Sequence, residues 1–293
     1  MIQQSRTART PTQATSTSPA APESHAPESH QAEVEPFEFL GTWDGPVVAT
    51  SIHTGHALRP EVQDLMELDE DDRFREEDPF THLIAQLVPA RVMVNRSRFE
   101  VDLNRDEDEA VYRTPDDCWG LEVWRGGELP ADVAERSLEV HRAFYEALGA
   151  RLDELAERGP FVVFDVHSYN HRRDGADQPA SPQEENPDVN VGTGSLDRER
   201  WGDVVDVFNS TPAAQELSDG PLDVRENVRF KGANLARWVH ERYPDKGICL
   251  ALEFKKTFMD EWTGEPDAVR IAELSQALAA TLEPLAEALR ARA

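Results

Sequence analysis

Three short apolar runs, VVATSI, FVVFDV and ICLAL, are each followed by a residue able to bind a metal or move a proton: His53, His167 and Glu253. The runs are too dense in aliphatic side chains to face water, and Gly159-Pro160 stands directly before FVVFDV, so they read as buried strands. A long amphipathic helix over residues 131–157, with Val133, Val140, Phe144, Leu148, Leu152 and Leu155 at helical spacing, stops at that Gly-Pro pair. Further strands are expected at 91–94 and 99–103, and helices at 81–87, 233–242 and 267–292, the last interrupted near Pro284. Strands separated by helices predict one α/β domain over 35–293, a central mostly parallel or mixed sheet flanked by helices.

In open α/β sheets, ligands bind beyond the carboxyl ends of strands. Three strands ending in His53, His167 and Glu253 therefore point to one site. Neutral imidazole is a common zinc ligand, and a catalytic zinc has three protein ligands and an open position. A carboxylate beside it moves the proton of the attacking water. Two histidines leave one ligand to find. His56, three residues after His53, and Asp78, in the acidic stretch REEDPF, are the two alternatives. His82, His141 and His240 lie on helix-like stretches and read as structural.

The acidic balance, 57 Asp and Glu against 30 Lys and Arg, excludes a general nucleic-acid or anionic-membrane binder. Two cysteines are too few for a disulfide framework. No apolar stretch suits a bilayer span or a signal-peptide core, so a cytoplasmic protein is expected. Residues 1–34, rich in Ser, Thr, Pro and Ala and containing His25 and His30 in an APESH repeat, read as a disordered tail.

SIHTGH, REEDPFT, SRFEVDLNR, FDVHSYN, VNVGT, RFKGAN and LEFKKTFMDE follow one another in an order that resembles the N-formylglutamate amidohydrolase (deformylase) family. That family is similar in fold to the zinc carboxypeptidases and aspartoacylases. The resemblance implies a zinc-dependent hydrolase of the amide of an N-acylated amino acid, a small carboxylated substrate. It implies that His53 and His167 bind the metal and that Glu253 activates the water. Asn104 and Arg105 would grip the substrate α-carboxylate, which a guanidinium pairs with bidentately. Arg98 would bind a second carboxylate or polarise the scissile carbonyl, and Lys231 and Gly232 would line the same pocket. The sequence departs from the family at His56, where the carboxypeptidase pattern has a glutamate ligand. That departure keeps His56 and Asp78 both open as the third ligand.

Overall fold

The computed structural model describes residues 34–292, and the expected tail, with His25 and His30, lies outside them save for Val34. The strands are β1 (Phe37–Gly41), β2 (Val47–Ser51), β3 (Ala90–Val94), β4 (Phe161–Tyr169), β5 (Val189–Gly192), β6 (Val224–Glu226) and β7 (Gly247–Lys255). They form one sheet in the order β1-β3-β2-β4-β7-β5-β6. Parallel pairing joins β2 to β3 and β4, β4 to β7, and β5 to β6. β1 with β3 and β5 with β7 are antiparallel. The mixed α/β sheet expected from the sequence is the one observed.

The helices are α1 (Pro60–Leu65), α2 (Glu70–Glu76), α3 (Thr81–Ile84), α4 (Ala131–Arg158), α5 (Arg198–Ala213), α6 (Asn234–Arg242), α7 (Ala268–Ala279) and α8 (Leu282–Arg290). Strand alternation assigns them to two layers. On one face of the sheet, Val162, Phe164 and Val166 pack in a cluster with Phe208 of α5, Leu274 of α7 and Leu285 of α8. On the other, Phe161 and Val163 pack with Phe144 and Leu148 of α4 and Val239 of α6. Asp165 and His167 share the parity of Val163, so they point to the α4/α6 side.

One expectation is corrected and one is located more closely. Residues 99–103 are not a strand: the Ser97 carbonyl accepts from the amides of Glu100 and Val101 at 3.0 and 3.2 Å, which closes a turn. The polar–apolar alternation there mimics a half-exposed strand. In fact Glu100 and Asp102 are as buried as Phe99, Val101 and Leu103. Glu100 sits in an ion pair with Arg59 at 2.8 Å, which removes the need for solvent. The C-terminal helical stretch breaks at Ala280–Thr281, and Pro284 lies in the first turn of α8. A proline is tolerated there because that turn's N–H groups have no intrahelical partner.

The three histidines read as structural are held by local hydrogen bonds. His82 Nδ1 meets Thr54 Oγ1 at 2.6 Å, and His141 Nε2 meets the Arg105 carbonyl at 3.0 Å. His240 Nε2 accepts the Cys249 amide at 2.9 Å, while Nδ1 meets Ser195 Oγ at 2.8 Å. Burial pushes the His240 imidazole down to about 4. An unfolded chain protonates near 6.5 and so binds more protons than the folded one between those values; stability is lost as pH falls through that window. Acidification from about pH 7 to about pH 5 should cost about 1–2 kcal/mol through this residue. Urea midpoints of wild type and His240→Gln at both pH values should show a shallower pH slope in the variant.

Candidate metal centre and active-site cavity

Register brings the strand ends together. His167 and Glu253 are Cα partners in the parallel β4–β7 ladder, and Thr50 of β2 pairs with Asp165 of β4. His53 lies in the turn that follows β2, beyond the same end of the sheet. Asp78 arrives from the segment after α2, its amide bonded to the His53 carbonyl at 3.0 Å. His53, Asp78 and His167 are all buried, and their ligand atoms lie within 4.8 Å of one another. Asp78 Oδ2 stands 3.5 Å from His53 Nδ1 and 2.9 Å from His167 Nδ1.

The opposite ring nitrogens face carboxylates. His53 Nε2 donates to Asp102 Oδ1 at 2.7 Å, and His167 Nε2 lies 3.0 Å from Asp165 Oδ2. Asp102 is itself held by Arg98 at 2.8 Å and by the Tyr112 hydroxyl. Asp165 accepts from Thr50 Oγ1 at 3.0 Å. Burial alone would raise both Asp78 and Asp102. The His167 hydrogen bond and the nearby His53 ring nevertheless hold Asp78 below the carboxylate range, and Arg98 with His53 holds Asp102 well below it. The cluster concentrates negative potential at two imidazoles. Two buried atoms in it, His53 Nδ1 and Asp165 Oδ2, have no hydrogen-bond partner, and only the first faces Asp78 and His167 Nδ1.

Glu253 borders the cluster. Burial pushes its carboxyl up to about 8, against the attraction of His167 and reinforced by Asp78 and Asp165. A carboxyl in that range can both take and give a proton near neutrality.

These groups floor a cavity of about 330 Å³ whose walls include Arg98, Asn104, Arg105, Trp119, Phe230 and Lys256. Asn104 is fixed by its Oδ1, which accepts the Leu235 amide at 3.1 Å, and its Nδ2 lies 3.2 Å from His167 Nε2. Arg105 lies over the Tyr112 ring, 4.8 Å from its centroid, and donates to the Asp117 carbonyl at 2.7 Å. Lys256, buried, donates to the carbonyls of Arg75 and Glu77 at 2.6 and 2.7 Å. It thereby ties the Asp78 segment to the end of β7.

The structure does not bring every sequence-derived candidate into the site. His56 stands apart from the three-residue cluster: Nδ1 meets Glu77 Oε2 at 2.5 Å and Nε2 lies 2.8 Å from Arg73 Nη2. Its ring steadies the residue before Asp78 rather than joining Asp78. Lys231 and Gly232 are exposed and outside the cavity wall, which takes Phe230 and Ala233 from the same stretch. Their backbone is instead packed on β5, where a Cβ at Gly192 would come within 2.5 Å of the Gly232 nitrogen. Asp102 and Asp165 were not among the candidates. Asp165 had a signal, its i, i+2 spacing from His167 on one strand face.

The comparisons identify this mixed α/β protein, with its buried His-Asp-His cluster at the strand ends, as a hydrolase of C–N bonds and say which kind. The model of the N-formylglutamate amidohydrolase family matches residues 45–259. The chain belongs to the N-formylglutamate amidohydrolase family. An N-formylglutamate amidohydrolase structure from Ralstonia eutropha superposes with a TM-score of 0.70 at 18% identity, covering 88% of this chain and 99% of its own. A gene product from Agrobacterium tumefaciens covers 86% of this chain and 96% of its own, with a TM-score of 0.59 at 14% identity. A metallo-carboxypeptidase from Burkholderia cenocepacia covers 86% of this chain and 61% of its own at 14% identity, and its TM-score of 0.37 is too low to assign the fold. No functionally curated protein matches at a significant level. Among the described residues, no helix is long and apolar enough to cross a membrane.

Proposed function

We propose that the protein is a metal-dependent amidohydrolase that cleaves an N-formyl or N-acyl amino acid at this cluster, with zinc as the ion the donor set suits. The observation that carries the reading is His53 Nδ1, buried and unpartnered beside Asp78 Oδ2 and His167 Nδ1. Two imidazole nitrogens and a carboxylate oxygen are the donor set of a catalytic zinc site with an open position. Asp102 and Asp165, behind the rings, supply the carboxylates that orient ligating histidines and raise their basicity. A divalent ion bound there would lower the pKa of a water molecule and polarise the scissile carbonyl.

The remaining work belongs to side chains. Glu253 takes the proton of the attacking water and returns it to the departing nitrogen, so a free amine leaves. Arg98 offers positive charge to the oxygen on which charge develops, while Asn104 and Arg105 hold the substrate α-carboxylate. Lys231 and Gly232 keep the wall in place through backbone contacts.

The test is elemental analysis of purified protein, followed by a screen of N-formyl and N-acetyl amino acids with short peptides as controls. Stoichiometric metal and turnover of N-acyl amino acids support the reading, and absence of metal after reconstitution overturns it. Asp102→Asn probes the second carboxylate layer. It should weaken metal affinity about 10–100-fold without displacing a ligand, as read by competition with a chromophoric chelator.

A further inference from the structure

Lys256, in the cavity wall, takes no step in the chemistry above, yet it is 2% exposed and makes no ion pair among the described residues. Its neighbour shows the ordinary way to bury an ammonium: Lys255 meets Asp188 at 2.7 Å. A buried cation without a carboxylate in contact is costly unless its N–H groups are well used. Two of those on Lys256 go to backbone, the carbonyls of Arg75 and Glu77. Those carbonyls lie where α2 gives way to the segment that carries Asp78. The last carbonyls of a helix have no intrahelical partner, and the residue four after Arg75 is Pro79, which has no N–H to offer. The donors come from Lys256 and from Asn170 Nδ2, 3.1 Å from the Arg75 carbonyl.

The path beyond is an uncommon one. Glu77 is extended, with φ of −76° and ψ of 179°, and Phe80 has φ of 67°, a region that non-glycine residues rarely adopt. Such a path persists only where its surroundings hold it. It matters here because three adjacent acids ride on it. Glu76 accepts from Arg75 and Asn170, Glu77 from Arg73 and Ser97, and Asp78 from Ser168. A slip of one residue would set a longer glutamate against His53 and His167. The bonds of the Asp78 carboxylate form only after the backbone has delivered it. Lys256 grips that backbone at residues 75 and 77, and it does so from just past the end of β7, the strand that carries Glu253.

We propose that Lys256 is a positioning residue: by clamping the carbonyls of Arg75 and Glu77 it sets Asp78, rather than Glu76 or Glu77, against His53 and His167 before any ion arrives, a role that rests on the metal-centre reading above. The experiment measures zinc affinity by chelator competition, and the visible spectrum of the cobalt-loaded protein, for wild type, Lys256→Met, Asp78→Ala and the double variant. Lys256→Met should cost about 10–100-fold in affinity in the wild-type background and less than about threefold in the Asp78→Ala background. Its cobalt bands should move toward those of Asp78→Ala. Wild-type affinity and spectrum in Lys256→Met, or the same loss in both backgrounds, overturns the proposal. Hydrogen exchange of the metal-free proteins gives a second readout that needs no ion. Residues 75–80 should already be protected in metal-free wild type and should exchange about tenfold faster in Lys256→Met, with residues 131–158 unchanged. Protection of 75–80 that arises in wild type only after zinc is added would make the ion the organiser and overturn the proposal, even where Lys256→Met does not fold. If wild type binds no zinc, the amidohydrolase reading fails, and the exchange of 75–80 then decides the role of Lys256.

Discussion

Glu253→Gln should lower kcat on N-acyl amino acids by about 10²–10⁴-fold while leaving metal content and the urea midpoint unchanged. The amide has the size of the carboxyl and keeps its place in the ladder opposite His167. It cannot carry a proton from water to a leaving nitrogen. The prediction separates proton transfer from site integrity, because Glu253 is not one of the three clustered donors. Retention of most activity in the variant would remove Glu253 from the mechanism and leave the proton to another group. Loss of metal along with activity would make Glu253 a ligand instead.

The second large effect concerns the donors. His53→Ala, His167→Ala and Asp78→Ala should each drop metal occupancy from about one ion per chain to less than about a tenth of that, whereas His56→Ala should keep it. His56 is the informative control, because the sequence offers it as an equal of Asp78. Its ring is engaged with Glu77 and Arg73, 30% exposed, and outside the cluster. Loss of metal in His56→Ala with retention in Asp78→Ala would reverse the assignment. The histidine variants should remain folded. Asp102 keeps Arg98 and Tyr112 when His53 is removed, whereas Asp165 keeps only the neutral Thr50 hydroxyl when His167 is removed, so His167→Ala should show the lower urea midpoint of the two.

The three strand ends were legible because burying an ionisable His or Glu at the end of an apolar strand costs free energy unless a partner or an ion meets it. Their convergence rests on register, and register joins residues as far apart as His167 and Glu253. REEDPF marks the limit. Glu76, Glu77 and Asp78 are adjacent acids, and only the path of the chain after α2 decides which enters the site. Glu77 turns to His56, Arg73 and Ser97, and Asp78 to His167 and Ser168. Asp102 was hidden for a related reason. Its stretch alternates like a strand, but each polar residue in it is buried against a charge, the distant Arg59 for Glu100 and the adjoining Arg98 for Asp102. In α5, by contrast, Trp201, Val204, Val205 and Phe208 recur at helical spacing and are buried together, so that helix could have been read. The strand β5, four residues long, is too short for periodicity to reveal.

The strand order carries a consequence for synthesis. β7, the last strand in the chain, lies between β4 and β5, and among the described residues no two neighbours in the sheet are joined by a hairpin. Pairings this distant form slowly, because each must close a long loop first. On the ribosome the sheet cannot be completed until Lys255 has emerged, roughly 3–13 s after the end of β5 at ordinary elongation rates. Through that interval the edges of β4 and β5 wait for the strand that separates them. A net charge of −27 makes neighbouring nascent chains repel one another while they wait.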